Sequence, residues 1–275
     1  CFREAPNRGI QVLGLKLRQW WITARLTATG YVGDSPFFVV DYLLRALRVA
    51  VLLSIWRTVL EANPGASPLS LATLMTYTVI SEAFVQLVVV RTSLAEAFWQ
   101  GTLVHYFLRP IGLVWQVLAE SSGRWVLDLV LFSLPLIGVA KLLGIRVAPV
   151  SAEAGALFVL SLALAVSVGL ALEFITGALT LASDQPVWLV EWVRRALSIL
   201  LSGAMIPLNL LPWGLGEIFA WLPFASMAWA PLAIHTGAGE ALRLLGLQFV
   251  WAIVLWPIAI ALWNANREKV VGYGG

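Results

Sequence analysis

Cysteine is almost missing. Cys1 is the one thiol in 275 residues, so no internal disulfide can form and no cysteine-based metal site can be assembled. Charge is scarce too: 12% of residues are Asp, Glu, Lys or Arg, roughly half the fraction in a soluble domain. Histidine occurs twice, as His105 and His235. The two are expected on opposite sides of a membrane and cannot share a metal, and no H-E-x-x-H occurs. The chain has no G-x-x-x-x-G-K-S/T phosphate loop, which excludes that mode of ATP binding, and no serine stands in a G-x-S-x-G elbow. With no catalytic or nucleotide motif, no metal site and no cofactor site, the chain is expected not to be an enzyme. A chain that starts with Cys rather than Met is expected to be trimmed or renumbered.

What fills the sequence instead is apolar. Hydrophobic residues make up 60% of it, at a mean hydropathy of +0.87, which describes an integral membrane protein. Fourteen tryptophans fit that class, because indole rings favour the membrane–water boundary. The expected fold is all-α, in one domain over 1–275, with six transmembrane helices, an N-terminal interfacial amphipathic helix and a broken outer re-entrant segment after the fifth span. The amphipathic helix falls at 10–27, where Leu13, Leu17, Trp20, Trp21 and Ala24 recur at helical spacing, with Lys16, Arg18 and Arg25 mainly off that face. An ordinary surface helix would share the pattern. The spans fall at about 37–60, 69–90, 125–143, 154–182, 187–206 and 242–263, each with roughly the 20 residues that cross the hydrocarbon. With the N-terminus inside, 14 of the 18 Lys and Arg residues lie at the cytoplasmic side, and Arg57, Lys141, Arg146 and Arg243 lie outside. That bias orients both termini to the cytoplasm. The net charge of +3 therefore reports topology and gives no argument for nucleic acid.

Two stretches depart from plain spans. Pro207, Pro212, Pro223 and Pro231 cut 207–231 into short, tryptophan-rich apolar pieces, because an interior proline breaks a helix. Irregular backbone at membrane depth needs protein or a cavity to pack on, and an interfacial loop that merely anchors the chain is the plainer alternative. Between spans two and three, 91–124 is less apolar and is broken by Gly101 and Pro110. Ionisable groups cost about 2.5–3.5 kcal/mol at a helix centre, so the acids inside spans stand out. Thr78, Glu82 and Gln86, spaced by four, form one polar stripe, and Glu173 with Thr176 forms another. These five are candidates for a substrate pathway or for hydrogen bonds between spans. Asp128, four residues past Arg124, is placed at an interface. Asp41 and Arg45 have the spacing to pair on one helix face.

Three passages carry a family likeness: GTLVHYFLRPIGLVW at 101–115, GAMIPLNLLPWGLGEIFAWLPFASMAWAPLAIHTG at 203–237, and the terminal VVGYGG. Set on six spans, they resemble the permease subunits of type-2 ATP-binding-cassette (ABC-2) exporters, over almost the whole chain. The resemblance implies a cytoplasmic coupling segment at 91–124 that docks on an ATPase, with contact within Thr92–Arg109, and outer re-entrant helices at 207–231. Leu94, Ala97 and Phe98 give a small apolar face there, with Trp99 beside it and Arg109 at its end, although the same residues could lie on the inner leaflet. It also implies partners: cytoplasmic ATPase subunits that hold ATP and Mg, a second permease subunit (a copy or a relative), and membrane lipid. The expected function is outward movement of an amphipathic or lipid-like compound across a bacterial cytoplasmic membrane. A proton- or ion-coupled transporter using Glu82 and Glu173, and a non-transporting membrane anchor, are the alternatives.

Overall fold

A computed structural model describes residues 18–30, 37–63, 65, 67–90, 92, 94, 97, 100–109, 112–183, 186–266 and 268. All regular structure among the described residues is helical. Helix α1 covers 18–30, followed by α2 at Phe37–Ala62, α3 at Leu71–Ala83, the single turn α4 at Val85–Val88 and the single turn α5 at Val104–Phe107. Helix α6 then runs over Leu113–Leu142, and α7 over Ala152–Ala182. Helix α8 covers Val187–Leu201, α9 Leu215–Ala220, α10 Trp229–Thr236 and α11 Ala241–Asn266. Three of these, α6, α7 and α11, are long and apolar enough to cross a membrane by length and composition.

The bounds of α2, α7 and α11 fall close to the first, fourth and sixth expected spans. The others differ, each for a physical reason. Helix α2 is 26 residues long but carries Asp41, Arg45, Arg48, Arg57 and Glu61. The second span was expected through residue 90, yet α3 ends at Ala83 and the chain turns at Phe84 before α4. The fifth ends at Leu201, after 15 residues. The third begins at Leu113, not 125, so the less apolar segment is shorter than 91–124. Its polar residues were misleading because they are satisfied inside the fold. Gln116 Nε2 donates to the Tyr106 carbonyl at 2.8 Å, and Tyr106 OH donates to Glu120 at 2.7 Å. A π turn at Leu129–Ser133 interrupts α6, and Pro135 follows it at the start of the resumed α-helix. A proline there needs no backbone donor, so the turn absorbs the kink.

The core centres on α7. Ala165, Val168, Ala171 and Ala178 are fully buried on it, and such small residues let neighbouring helices approach closely. At Gly169 an added Cβ would lie 2.6 Å from Val90. Helix α11 lies along α7, pinned by Gln248, which accepts from Ser161 Oγ at 2.8 Å and donates to the Ser226 carbonyl at 2.7 Å. Helix α1 crosses α6 so tightly that a Cβ on Gly123 would sit 2.1 Å from the Ala24 carbonyl oxygen. Its remaining apolar face, including Trp21 and Leu26, is exposed; the part of the expected amphipathic helix at 10–17 lies outside the described residues.

The proline-cut stretch forms a 3-10 turn at Leu208–Leu210, then α9, turns and α10. Its irregular backbone leans on α3. Tyr77 OH donates to the Gly203 carbonyl at 2.6 Å, and Ser81 Oγ, one turn along, donates to that of Ala204. Gly203 has φ +75°, which glycine adopts without strain. Helix α10 is buried from Trp229 to His235, so this region belongs to the packed core. No membrane-depth statement is needed to explain its irregularity, since protein contacts satisfy the freed carbonyls.

Candidate functional site

Two charged clusters are buried in the helices. The first centres on Arg45, 3% exposed. On α2, Tyr42, Arg45, Val49, Leu53 and Trp56 are turned inward, a helical stripe. Arg45 Nε donates to Glu82 Oε1 at 2.9 Å, its Nη1 donates to Asp128 Oδ1, and its Nη2 donates to Asp128 Oδ2 at 3.3 Å and to the Glu82 carbonyl at 3.1 Å. The guanidinium lies over the Phe132 ring at 3.8 Å. Arg48 reaches Glu82 Oε1 at 2.8 Å from the cluster's open side. Ser133 Oγ donates to the Ala83 carbonyl. Arg45 and Ser133 thus serve two carbonyls that the end of α3 leaves without helical donors. The chain break at Phe84 and the π turn of α6 meet at this cluster.

Asp128 is therefore buried and paired with Arg45, which turns away from the exposed Asp41. The polar stripe is also redistributed. Thr78 accepts from Trp56 Nε1 at 3.0 Å and back-bonds to the Leu74 carbonyl. Gln86 is half-buried on α4, past the break, so Thr78, Glu82 and Gln86 do not share one continuous helix face.

The second cluster joins α7 to α8. Arg194 Nη2 lies 2.9 Å from Glu173 Oε1 and 2.7 Å from Glu191 Oε1, and Arg195 lies 3.5 Å from Glu191. Thr92 Oγ1 donates weakly to Glu173 Oε2 at 3.4 Å. Thr176, one turn from Glu173, bonds to the Leu172 carbonyl and shares a cleft of about 10 Å³ with Glu173 and Glu191. That volume admits one water at most. Among the described residues Glu82 and Glu173 share no partner, and each is held in its own cluster.

Leu94 and Ala97, at 1% and 4% exposure, are turned into a core with Val117, Leu170 and Phe174. The apolar face drawn on them is used inside this chain and is not available to a partner; Phe98 and Trp99 lie outside the described residues. The exposed groups of the segment come later, at His105, Phe107, Leu108 and Arg109. Arg109 is bonded to Glu120 at 3.3 Å. At the other end of the bundle a cavity of about 810 Å³ opens between the proline-cut stretch and the start of α11.

The sequence profile described as ABC-2 family transporter protein matches residues 39–274. The chain belongs to this family. No significant match is found among curated proteins or solved structures. For an ABC-2 transporter, three features now have positions: two charge clusters that lock helices together, a short exposed strip at 105–109, and a cavity at the opposite end. The clusters' arginines escaped the reading of the sequence because Arg45, Arg48, Arg194 and Arg195 were counted as markers of orientation. The signal was present. Acids inside apolar helices need a partner, and these were cations at comparable positions along neighbouring helices.

Proposed function

We propose that this ABC-2 chain is the permease subunit of an exporter, moving an amphipathic or lipid-like compound out across a bacterial cytoplasmic membrane. A separate cytoplasmic ATPase would bind ATP and Mg and supply the work, and a second permease subunit, a copy or a relative, would complete the pathway. Helix α2, the α3–α4 pair and α8 would add to α6, α7 and α11 to give six spans, with both termini in the cytoplasm. The observation that carries this reading is the family match over 39–274, joined to a sequence with no phosphate loop of its own. The distribution of Lys and Arg supports the orientation.

The ATPase would meet the strip His105, Phe107, Leu108 and Arg109, which presents exposed apolar and cationic groups. Leu108 is 75% exposed, and its burial would favour docking in a partner's groove. Glu82 and Glu173 each sit against a guanidinium, which supports a structural role for both over a proton relay. The decisive experiment is purification from native membrane followed by reconstitution. An ATPase subunit should co-purify, and Phe107→Ala with Leu108→Ala should weaken that association without loss of insertion. Transport driven by a proton gradient in vesicles lacking any ATPase would sink the exporter reading. An intact complex that moves nothing with ATP would favour the anchor.

A further inference from the structure

The cavity of about 810 Å³ differs from the charged clusters because its charges are unspent. Glu217 on α9 and Glu240, just before α11, both line it. Neither carboxylate has a hydrogen-bond or ion-pair partner among the described residues, whereas Glu82, Asp128, Glu173 and Glu191 are all paired. Arg243, the cation on the lining, is one helical turn from Glu240 yet is laid over the Trp221 ring, 5.3 Å from its centre. The Trp ring face and apolar neighbours hold this guanidinium by a cation–π contact. Two solvent-exposed carboxylates and one guanidinium line the cavity, which leaves it with a net negative charge.

The wall also presents Leu211, Leu244 and Leu247, beside Asn209 and the backbone at Gly214 and Gly239. Gly216 permits this shape, because a Cβ there would meet the Leu208 carbonyl oxygen at 2.1 Å. Trp213 and Leu242, each next in the chain to a lining residue, are 91% and 77% exposed, the composition of a surface that meets the membrane boundary. The volume is that of a small-molecule site, with polar and apolar groups facing it in similar measure.

We propose that this cavity binds an amphipathic cation, with its charged group toward Glu217 and Glu240 and its apolar body along the leucines. The site narrows the exported compound to lipophilic amines and other onium ions. Only the direction of movement rests on the exporter reading; binding is measured without any ATPase, so the two stand or fall apart.

The test uses two ions of nearly equal shape and opposite charge, tetraphenylphosphonium and tetraphenylborate. They are presented to the full chain in nanodiscs of zwitterionic lipid, with empty discs subtracted. Tetraphenylphosphonium should bind saturably and tetraphenylborate should not. Glu217→Gln with Glu240→Gln should weaken the cation by roughly tenfold, since two nearby charges act through a partly aqueous medium, and Arg243→Gln should tighten it. Glu61→Gln, whose carboxylate pairs with Arg57 outside the cavity, should change nothing. Gel-filtration profiles verify folding of the surface variants. Equal binding of both ions, or unchanged cation binding in the double variant, would overturn the site. Correct binding with no ATP-driven efflux would leave the site standing and remove the exporter.

Discussion

The Arg45 and Arg194 clusters are matched in formal charge: each sets two guanidinium groups against two carboxylates. They differ in where the charges come from. Arg45 gathers Glu82 and Asp128, 37 and 83 residues away, and the Glu82 carbonyl as well, so one side chain holds α2, α3 and α6 together. In the second cluster Glu191, Arg194 and Arg195 share a single stretch of α8, and only Glu173 and Thr92 come from elsewhere. A buried ion pair is weak evidence of stability, because desolvation offsets attraction, but a buried charge left alone is costly. The first cluster is a keystone, because one side chain ties three helices, and the second a seam between two; each keeps one ion pair when its central arginine goes, and each then strands one acid.

The largest expected effect is Arg45→Ala, which strands the buried Asp128, leaves Glu82 to Arg48 alone and frees the Glu82 carbonyl, and should cost about 3–5 kcal/mol. It would be measured as loss of monodisperse protein on heating in detergent. Arg194→Ala should cost less, about 2–3 kcal/mol by the same assay, because Arg194 holds no backbone carbonyl among the described residues and Thr92 still reaches Glu173. Equal losses would break the distinction. Next come the rescues. Adding Glu173→Gln to Arg194→Gln should recover about 1–2 kcal/mol, since no lone charge remains at Glu173. Adding Glu82→Gln to Arg45→Gln should recover less, because Asp128 stays charged and unpaired. The smallest effects lie at the edges. Ser133→Ala, which exposes the Ala83 carbonyl, should cost about 1 kcal/mol, and Thr92→Val, whose bond is long, about 0.5 kcal/mol or less.

The class of the molecule was plain from the lack of charge, and α7 and α11 were readable from their lengths of unbroken apolar residues. Glu82 and Glu173 stood out because an acid in such a run is expensive. Their partners did not. A cation near a helix end satisfies the orientation rule whether it reaches for headgroups or folds back onto an acid, and only the rotation of α2 decides. The spacing of Asp41 and Arg45 suggested a pair within one helix, yet Val49, one turn beyond Arg45, is buried beside it while Asp41 is not. The break at Phe84 had no signal at all: residues 71–90 contain neither proline nor glycine. It exists because Arg45 and Ser133 offer the freed carbonyls donors from other helices, which is information the local sequence does not hold. The start of α6 was masked for the converse reason. Gln116, Glu120 and Arg124 read as a surface, whereas Gln116 is 1% exposed and bonded to a neighbouring turn.

The π turn of α6 has a consequence for how this helix can vary. Relative to an α-helix it holds one surplus residue between Asp128 and Pro135. A chain shortened by one position here would exchange the π turn for α-helical winding, with Pro135 still donating no backbone bond. Everything beyond the deletion would then swing by about 100° and slide by about 1.5 Å, carrying Ser133 away from the Ala83 carbonyl and bringing a different side of the upper helix toward α2. The helix is in effect a screw with one thread held in reserve, and the grip of Asp128 on Arg45 fixes the point from which that thread would be taken up.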